Sequence, residues 1–216
     1  MSNEQIYERI DRCGLIATLT MDDPAKAVDL AGALLAGGMD VMELTLRTPA
    51  AYDALAVIKD KVPKMLAGVG TVLRIDQLEK ITDIGADFAV SPGMNPKIIE
   101  RSSKLGIPFA PGICTPSDIE GAIELGCKVL KFFPAEPSGG LKYLKSMAAP
   151  YLNLGLKYIP LGGINADNLG DYLSSDLILA AGGSWIAPSD AIDKGDWAQI
   201  TKNAKTAINK VKEIRG

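Results

Sequence analysis

A chain of 216 residues, 47% apolar and 23% charged, has the composition of an ordinary globular protein able to bury a sizeable core. Its net charge of −3, without a basic cluster, argues against general affinity for nucleic acid, and no apolar run is long enough to span a bilayer. With no histidine, the commonest general base and metal ligand is missing, so acid–base chemistry falls to Glu, Asp, Lys, Tyr or water.

The pattern of elements is regular. Residues 3–12 read as a short helix with Ile6 and Ile10 on one face. Residues 14–19 form the first apolar run, and Asp22-Asp23-Pro24 opens a helix that Gly37-Gly38 ends. The second strand is predicted over residues 41–46, with Pro49 opening the next helix, and the third over 65–69, followed by a helix at 75–84. A fourth strand at 87–91 precedes a helix starting at Pro96. A short fifth strand at 107–110 precedes a helix capped by Thr115-Pro116-Ser117-Asp118. The sixth strand covers 129–133 and is followed by a helix at 140–148. The seventh, 158–161, leads to a helix opened by Asn165-Ala166-Asp167. The eighth covers 177–180, and Asp196 caps the last helix.

Apolar strands alternating with helices imply a parallel sheet with crossover helices. Eight such units in this length point to an α/β fold of the (β/α)8 TIM-barrel type, with an additional N-terminal helix and one domain over residues 1–216. A doubly wound open sheet is the alternative, but the G-x-G-x-x-G turn expected after its first strand is missing. Cys13, Cys114 and Cys127 are odd in number and lack C-x-x-C spacing, which suggests a reducing compartment without disulfides or structural zinc. The polar, acidic first residues do not read as a signal peptide, so a cytoplasmic enzyme is expected.

In such a barrel the site gathers at the carboxyl ends of the strands. Lys131 sits in the apolar run Val129-Leu130-Lys131-Phe132-Phe133, where desolvation favours a neutral, nucleophilic amine. Glu43, Thr45 and Arg47 alternate with apolar residues and share one face of the second strand, so Glu43 and Arg47 either enter the barrel mouth or pair with each other. Gly68-Val69-Gly70-Thr71 offers close backbone approach to a ligand and a hydroxyl. Leu161-Gly162-Gly163 and Ala181-Gly182-Gly183-Ser184 put paired glycines after the last two strands, where barrel phosphate sites are commonly built from backbone amides. If Lys131 attacks the ketone of a 2-keto acid, the protonated imine is an electron sink and the bond between C3 and C4 can break without a metal. Glu43 is then the candidate for taking the C4 hydroxyl proton and returning one to C3, and Arg47 for gripping the carboxylate.

The motifs Glu43-Leu44-Thr45-Leu46-Arg47-Thr48, Gly68-Val69-Gly70-Thr71-Val72-Leu73, Ser91-Pro92-Gly93, Lys131-Phe132-Phe133-Pro134-Ala135-Glu136, Gly162-Gly163-Ile164 and Gly182-Gly183-Ser184-Trp185 carry a resemblance over nearly the whole chain. In this order and spacing they resemble the bacterial 2-keto-3-deoxy-6-phosphogluconate (KDPG) aldolases, a family that also acts on 4-hydroxy-2-oxoglutarate. The resemblance implies a class I aldolase of the Entner–Doudoroff route, releasing pyruvate and glyceraldehyde 3-phosphate, with no cofactor and a homotrimeric assembly. By position it implies Lys131 as the Schiff-base lysine and Glu43 as the general acid/base. It implies Arg47 and Thr71 on the pyruvate carboxylate, and Pro92 and Phe133 as walls of the pyruvate pocket. Gly162, Gly163, Gly183 and Ser184 fall to the phosphate site. One position departs: many members have threonine where this chain has Leu161, at a place associated with reading the substrate's hydroxyls. Leucine makes no hydrogen bond there.

The competing readings are a 2-keto-3-deoxy-6-phosphogalactonate aldolase and a non-catalytic barrel that binds a phosphate ligand. A metal-dependent isomerase or epimerase is disfavoured by the missing histidines, and a scaffold by the polar strand ends.

Overall fold

The computed structural model describes residues 1–216. Helix α1 (Asn3–Cys13) starts in a capping box, in which Ser2 Oγ accepts from the Gln5 amide and the Gln5 side chain accepts from the Ser2 amide at 2.8 Å. Gly14, at φ +68°, ends it and turns the chain into β1 (Leu15–Leu19). The expected helix opening at Pro24 is first a 3-10 turn (Pro24–Lys26) and then α2 (Ala27–Ala36). There follow β2 (Val41–Thr45), α3 (Ala50–Lys61), β3 (Leu66–Gly70), α4 (Ile75–Ile84), β4 (Ala89–Val90) and α5 (Pro96–Leu105). The chain continues with β5 (Phe109–Ala110), β6 (Gly112–Ile113), α6 (Pro116–Glu124), β7 (Val129–Phe132) and α7 (Gly140–Ala148). It closes with β8 (Lys157–Pro160), α8 (Leu169–Leu173), β9 (Ala181–Gly183), α9 (Ser189–Lys194) and α10 (Trp197–Arg215). Helix α9 had no counterpart in the sequence pattern.

Every strand pairing is parallel. One sheet has the order β5-β4-β3-β2-β1-β9 and the other β6-β7-β8. Pro111 separates β5 from β6, because a proline has no N–H to give to the ladder; its carbonyl still accepts from the Lys131 amide at 2.9 Å. On the opposite side the sheets approach through a parallel bridge between Tyr158 and Ile178, and the Leu179 amide donates to the Tyr158 carbonyl at 2.9 Å. The result is an α/β fold whose parallel strands curl, with helices packed outside them. The strand interiors are almost wholly buried, which is why they read as continuous apolar runs.

Two expectations are corrected. Residues 177–180 make only that single bridge, and the ladder to β1 forms further on, with Ile16 opposite Gly182 and Ala17 opposite Gly183. Gly182 and Gly183 therefore lie inside a strand and not in a loop after it. Both positions need glycine for room: a Cβ on Gly182 would stand 2.7 Å from Leu161 Cγ, and one on Gly183 would stand 2.5 Å from Trp185 Cδ1. Gly162 and Gly163 are true turn glycines, at φ +95° and +86°.

Candidate active site

Lys131 and Glu43 are the only charged residues in the buried interior, 5% and 0% exposed. Lys131 comes from β7 and Glu43 from β2, and Lys131 Nζ lies 3.4 Å from Glu43 Oε1. Burying two charges costs several kcal/mol per ion unless each pairs and finds further hydrogen bonds. Glu43 therefore pairs with Lys131 and not with Arg47, which is exposed at the mouth. The amine is thus not isolated in apolar surroundings, as its strand suggests; a carboxylate shares its burial.

Register explains how the carboxylate fits. Glu43 stands opposite Thr18 on β1 and Gly68 on β3, and Thr45 stands opposite Gly70. A Cβ on Gly70 would sit 1.6 Å from Glu43 Oε1, and one on Gly68 would sit 2.2 Å from the Phe88 ring. These glycines make room for the protein's own side chains, a different role from the ligand approach expected of them. Thr71, just beyond, is the one non-glycine residue at positive φ (61°), so its side chain is set by a turn that most residues avoid.

The remaining groups converge on the same place. The Phe133 ring centroid is 5.4 Å from Lys131 Nζ. Pro92 packs so closely on Gly112 that a Cβ there would lie 2.2 Å from the Pro92 carbonyl. The segment after β7 is stitched to the segment after β8, the Ala135 amide donating to the Leu161 carbonyl at 2.8 Å and the Glu136 amide to the Gly162 carbonyl at 2.9 Å. The Tyr172 hydroxyl donates to Glu136 Oε1, and burial, then that contact, pushes the phenol's pKa up, so it stays a donor.

A cavity of about 280 Å³ is lined by 16 residues, among them all 11 expected from the sequence: Glu43, Arg47, Thr71, Pro92, Lys131, Phe133, Leu161, Gly162, Gly163, Gly183 and Ser184. The other five are Thr18, Thr20, Thr45, Ile164 and Gly182. The threonines of β1 and the loop after it were missed, although Thr18 and Thr20 alternate with Leu19 and so share a face. Thr45 Oγ1 donates its single hydrogen to the Leu19 carbonyl at 2.8 Å, so in its 3.0 Å contact with Thr20 the donor is Thr20. Thr18 Oγ1 and Glu43 Oε2 have no hydrogen-bond partner in the chain. Such a buried orphan costs about 1–3 kcal/mol, more when charged. No group of three or more Cys, Asp or Glu side chains stands where it could hold a metal ion.

The sequence model of the KDPG and KHG aldolase family matches residues 6–203. The chain is 43% identical over 186 residues to the KHG/KDPG aldolase of Escherichia coli (strain K12), covering 86% of each protein. It is 40% identical over 196 residues to the 2-dehydro-3-deoxy-phosphogluconate aldolase of Treponema pallidum (strain Nichols), covering 91% of this chain and 92% of the relative. Among solved structures it resembles the KDPG aldolase of Legionella pneumophila, which holds pyruvate captured at low pH as a covalent carbinolamine intermediate. That match has a TM-score of 0.90 at 33% identity and covers 96% of this chain and 98% of the other.

Proposed function

Because the chain belongs to the KDPG and KHG aldolase family, we propose that it is a class I aldolase cleaving 2-keto-3-deoxy-6-phosphogluconate to pyruvate and D-glyceraldehyde 3-phosphate, and 4-hydroxy-2-oxoglutarate to pyruvate and glyoxylate. The observation that carries the reading is the buried pair of Lys131 and Glu43 at 3.4 Å, an amine and a carboxylate brought together from opposite sheets.

Lys131 Nζ adds to the substrate ketone, and loss of water gives the protonated imine. Glu43 takes the proton of the C4 hydroxyl, the carbonyl of the aldehyde forms, and the C3–C4 bonding pair moves into the enamine. Glu43 then returns a proton to C3, and water releases pyruvate. Arg47 and Thr71 hold the carboxylate, and Pro92 and Phe133 wall the three-carbon end. The glycine turn at 162–163, with Gly183 and Ser184, receives the phosphate through backbone amides and a hydroxyl. Leu161, buried against Gly182, offers no hydrogen bond to a substrate hydroxyl; this one observation favours weighing 2-keto-3-deoxy-6-phosphogalactonate as a second substrate.

The same reading takes the two sheets as one closed (β/α)8 barrel with α1 as an added N-terminal helix, in one domain over residues 1–216. Support comes from the contacts at Pro111 and Tyr158 and from one continuous buried core. A homotrimer follows from the family resemblance, and a cytoplasmic setting from three free cysteines. No helix is long and apolar enough to cross a membrane.

Borohydride reduction in the presence of pyruvate tests the proposal. It should add a pyruvyl mass to the peptide carrying Lys131; an unmodified peptide would leave a phosphate-ligand binding protein as the better description. A substrate panel then ranks kcat/KM for the two phosphorylated sugar acids and 4-hydroxy-2-oxoglutarate, and equal values with and without phosphate would remove the role given to the glycine turn.

A further inference from the structure

The turn after β8 is held by its carbonyls and leaves its amides free. The Gly162 carbonyl accepts from the Glu136 amide at 2.9 Å. The Gly163 carbonyl accepts from Asn168 Nδ2 at 3.0 Å, and Asn168 is itself oriented by the Asn165 amide, which donates to its Oδ1 at 2.9 Å. The amides of Gly162, Gly163 and Ile164 donate to no atom of the chain, and three successive free amides in a turn form a concavity suited to an anion. Behind this turn stands an acidic residue. A Cβ on Gly163 would lie 2.5 Å from Glu136 Cβ and 2.8 Å from its Cγ, so the stem of Glu136 rests directly on the glycine. The far end of the side chain is fixed as well. Glu136 Oε1 accepts from the hydroxyl of Tyr172, a side chain 1% exposed on α8. The same oxygen would stand 3.0 Å from a Cβ on Gly140, the first residue of α7, whose amino end favours negative charge. Neither Glu136 nor Tyr172 lines the cavity.

We propose that Glu136 and Tyr172 are positioning residues: they set the turn at 162–164 for the substrate's phosphate, and so decide how strongly the protein prefers phosphorylated over unphosphorylated 2-keto acids. The proposal rests on the aldolase reading above, with the phosphate at the glycine turn. A pair of glycines at positive φ has wide conformational freedom, and nothing in the pair itself aims its amides. The Glu136 stem on one side and Asn168 on the other remove that freedom before the ligand arrives, which lowers the ordering cost of binding. Two effects of Glu136 oppose each other. Its negative charge repels a phosphate, and its stem holds the amides that attract one. The carboxylate is exposed, so water and salt screen the repulsion, whereas a misplacement of about 1 Å costs about 10²-fold. Holding the turn is therefore the larger effect. The shorter 4-hydroxy-2-oxoglutarate carries no phosphate to place there, and its cleavage does not depend on how the turn is set.

Glu136→Ala removes the stem and the acceptor, Glu136→Gln keeps both without the charge, and Tyr172→Phe removes only the donor. In Glu136→Ala we expect kcat/KM on KDPG to fall roughly tenfold to a hundredfold. On the same variant, cleavage of 4-hydroxy-2-oxoglutarate and borohydride capture of pyruvate on Lys131 should be little changed. Tyr172→Phe should move the ratio of the two kcat/KM values in the same direction by a smaller factor. Glu136→Gln should return the ratio to the parent value or above it, since no charge then opposes the phosphate. A parallel loss on both substrates makes the contact one of general packing and overturns the proposal. So does a gain on KDPG in the alanine variant, which would leave the carboxylate acting by repulsion alone. A parent-like ratio in the alanine and phenylalanine variants, or a loss that glutamine does not restore, overturns it too. Should the alanine variant be insoluble, Tyr172→Phe against Glu136→Gln decides on the same ratio. These outcomes leave the aldolase reading intact; failure of the parent protein to capture pyruvate overturns that reading itself.

Discussion

The two ends of the strands hold charge in opposite ways, one wholly buried and one half-buried. At the carboxyl ends, Glu43 has one oxygen on Lys131 and the other without a partner. At the amino ends, a larger cavity of about 520 Å³ lies beside Arg215 on the last turn of α10. There the guanidinium is satisfied on every arm. Nε donates to the Leu173 carbonyl at 3.3 Å, one terminal nitrogen to the Leu179 carbonyl at 2.9 Å and to Asp11, and the other to the Ile178 carbonyl at 2.7 Å. Burial still holds its pKa below the usual guanidinium value, with Asp11 opposing that shift. Arg215 is a clamp that ties the last helix to α1 and to the segment before β9. A charge whose bonds are all made serves the fold; a charge left with an uncommitted atom is available for chemistry. Cavity size alone would have picked the wrong end.

The sharpest test of this contrast is Lys131→Met, which should lower carbon–carbon cleavage on the order of 10⁴-fold or more and abolish borohydride capture. A variant that still cleaved at the parent rate would make the Lys131–Glu43 pair a structural one, like Arg215. Next comes Glu43→Gln, expected to lower kcat about 10²- to 10⁴-fold while pyruvate is still captured on Lys131, as read by steady-state kinetics and mass spectrometry together. Losing capture as well would mean that Glu43 acts earlier, in forming the imine.

At the opposite end, Arg215→Met should cost about 2 kcal/mol of stability through lost charged hydrogen bonds and orphaned carbonyls, seen as a lower denaturation midpoint. The kinetics of the folded fraction should not change; a fall in kcat would link the two ends and erase the distinction drawn between them. The smallest effect concerns Cys13, at the end of α1, whose thiol is pushed up to about 11 by burial and then by Asp40. A pKa raised in the folded state favours the protonated native form. Its contribution is therefore full below the unfolded thiol's ordinary value and is lost as pH climbs from there to about 11. Cys13→Ala should flatten the stability profile across that alkaline window in denaturant titrations, without altering activity at neutral pH.

Much of the site was legible because strand alternation is a rigid rule: once Met42, Leu44 and Leu46 face the helices, Glu43, Thr45 and Arg47 must face the other way. The same rule places Thr18 and Thr20 on one face around Leu19, but threonine hydroxyls are ordinary in strands and carry no chemical signal by themselves. The glycines were harder. Gly162-Gly163 and Gly182-Gly183 look alike in sequence, yet the first pair turns the chain at positive φ and the second pairs with β1. Over the second pair stand Leu161 and Trp185, which leave no room for a Cβ, and no period in the sequence announces those contacts.

From its residues alone the chain established the alternation of parallel strands and helices, the lysine in a buried strand and the face of the second strand that carries the carboxylate. These follow from local periodicity and from the cost of burying polar groups. Only the tertiary structure decided that Glu43 meets Lys131 at 3.4 Å, that Gly70 carries no side chain so that the carboxylate fits, and that Thr18 is the register partner of Glu43 on β1. The physical reason is that register and sheet curvature fix distances across a sequence separation of 88 residues, and neither is written in the period of any one segment.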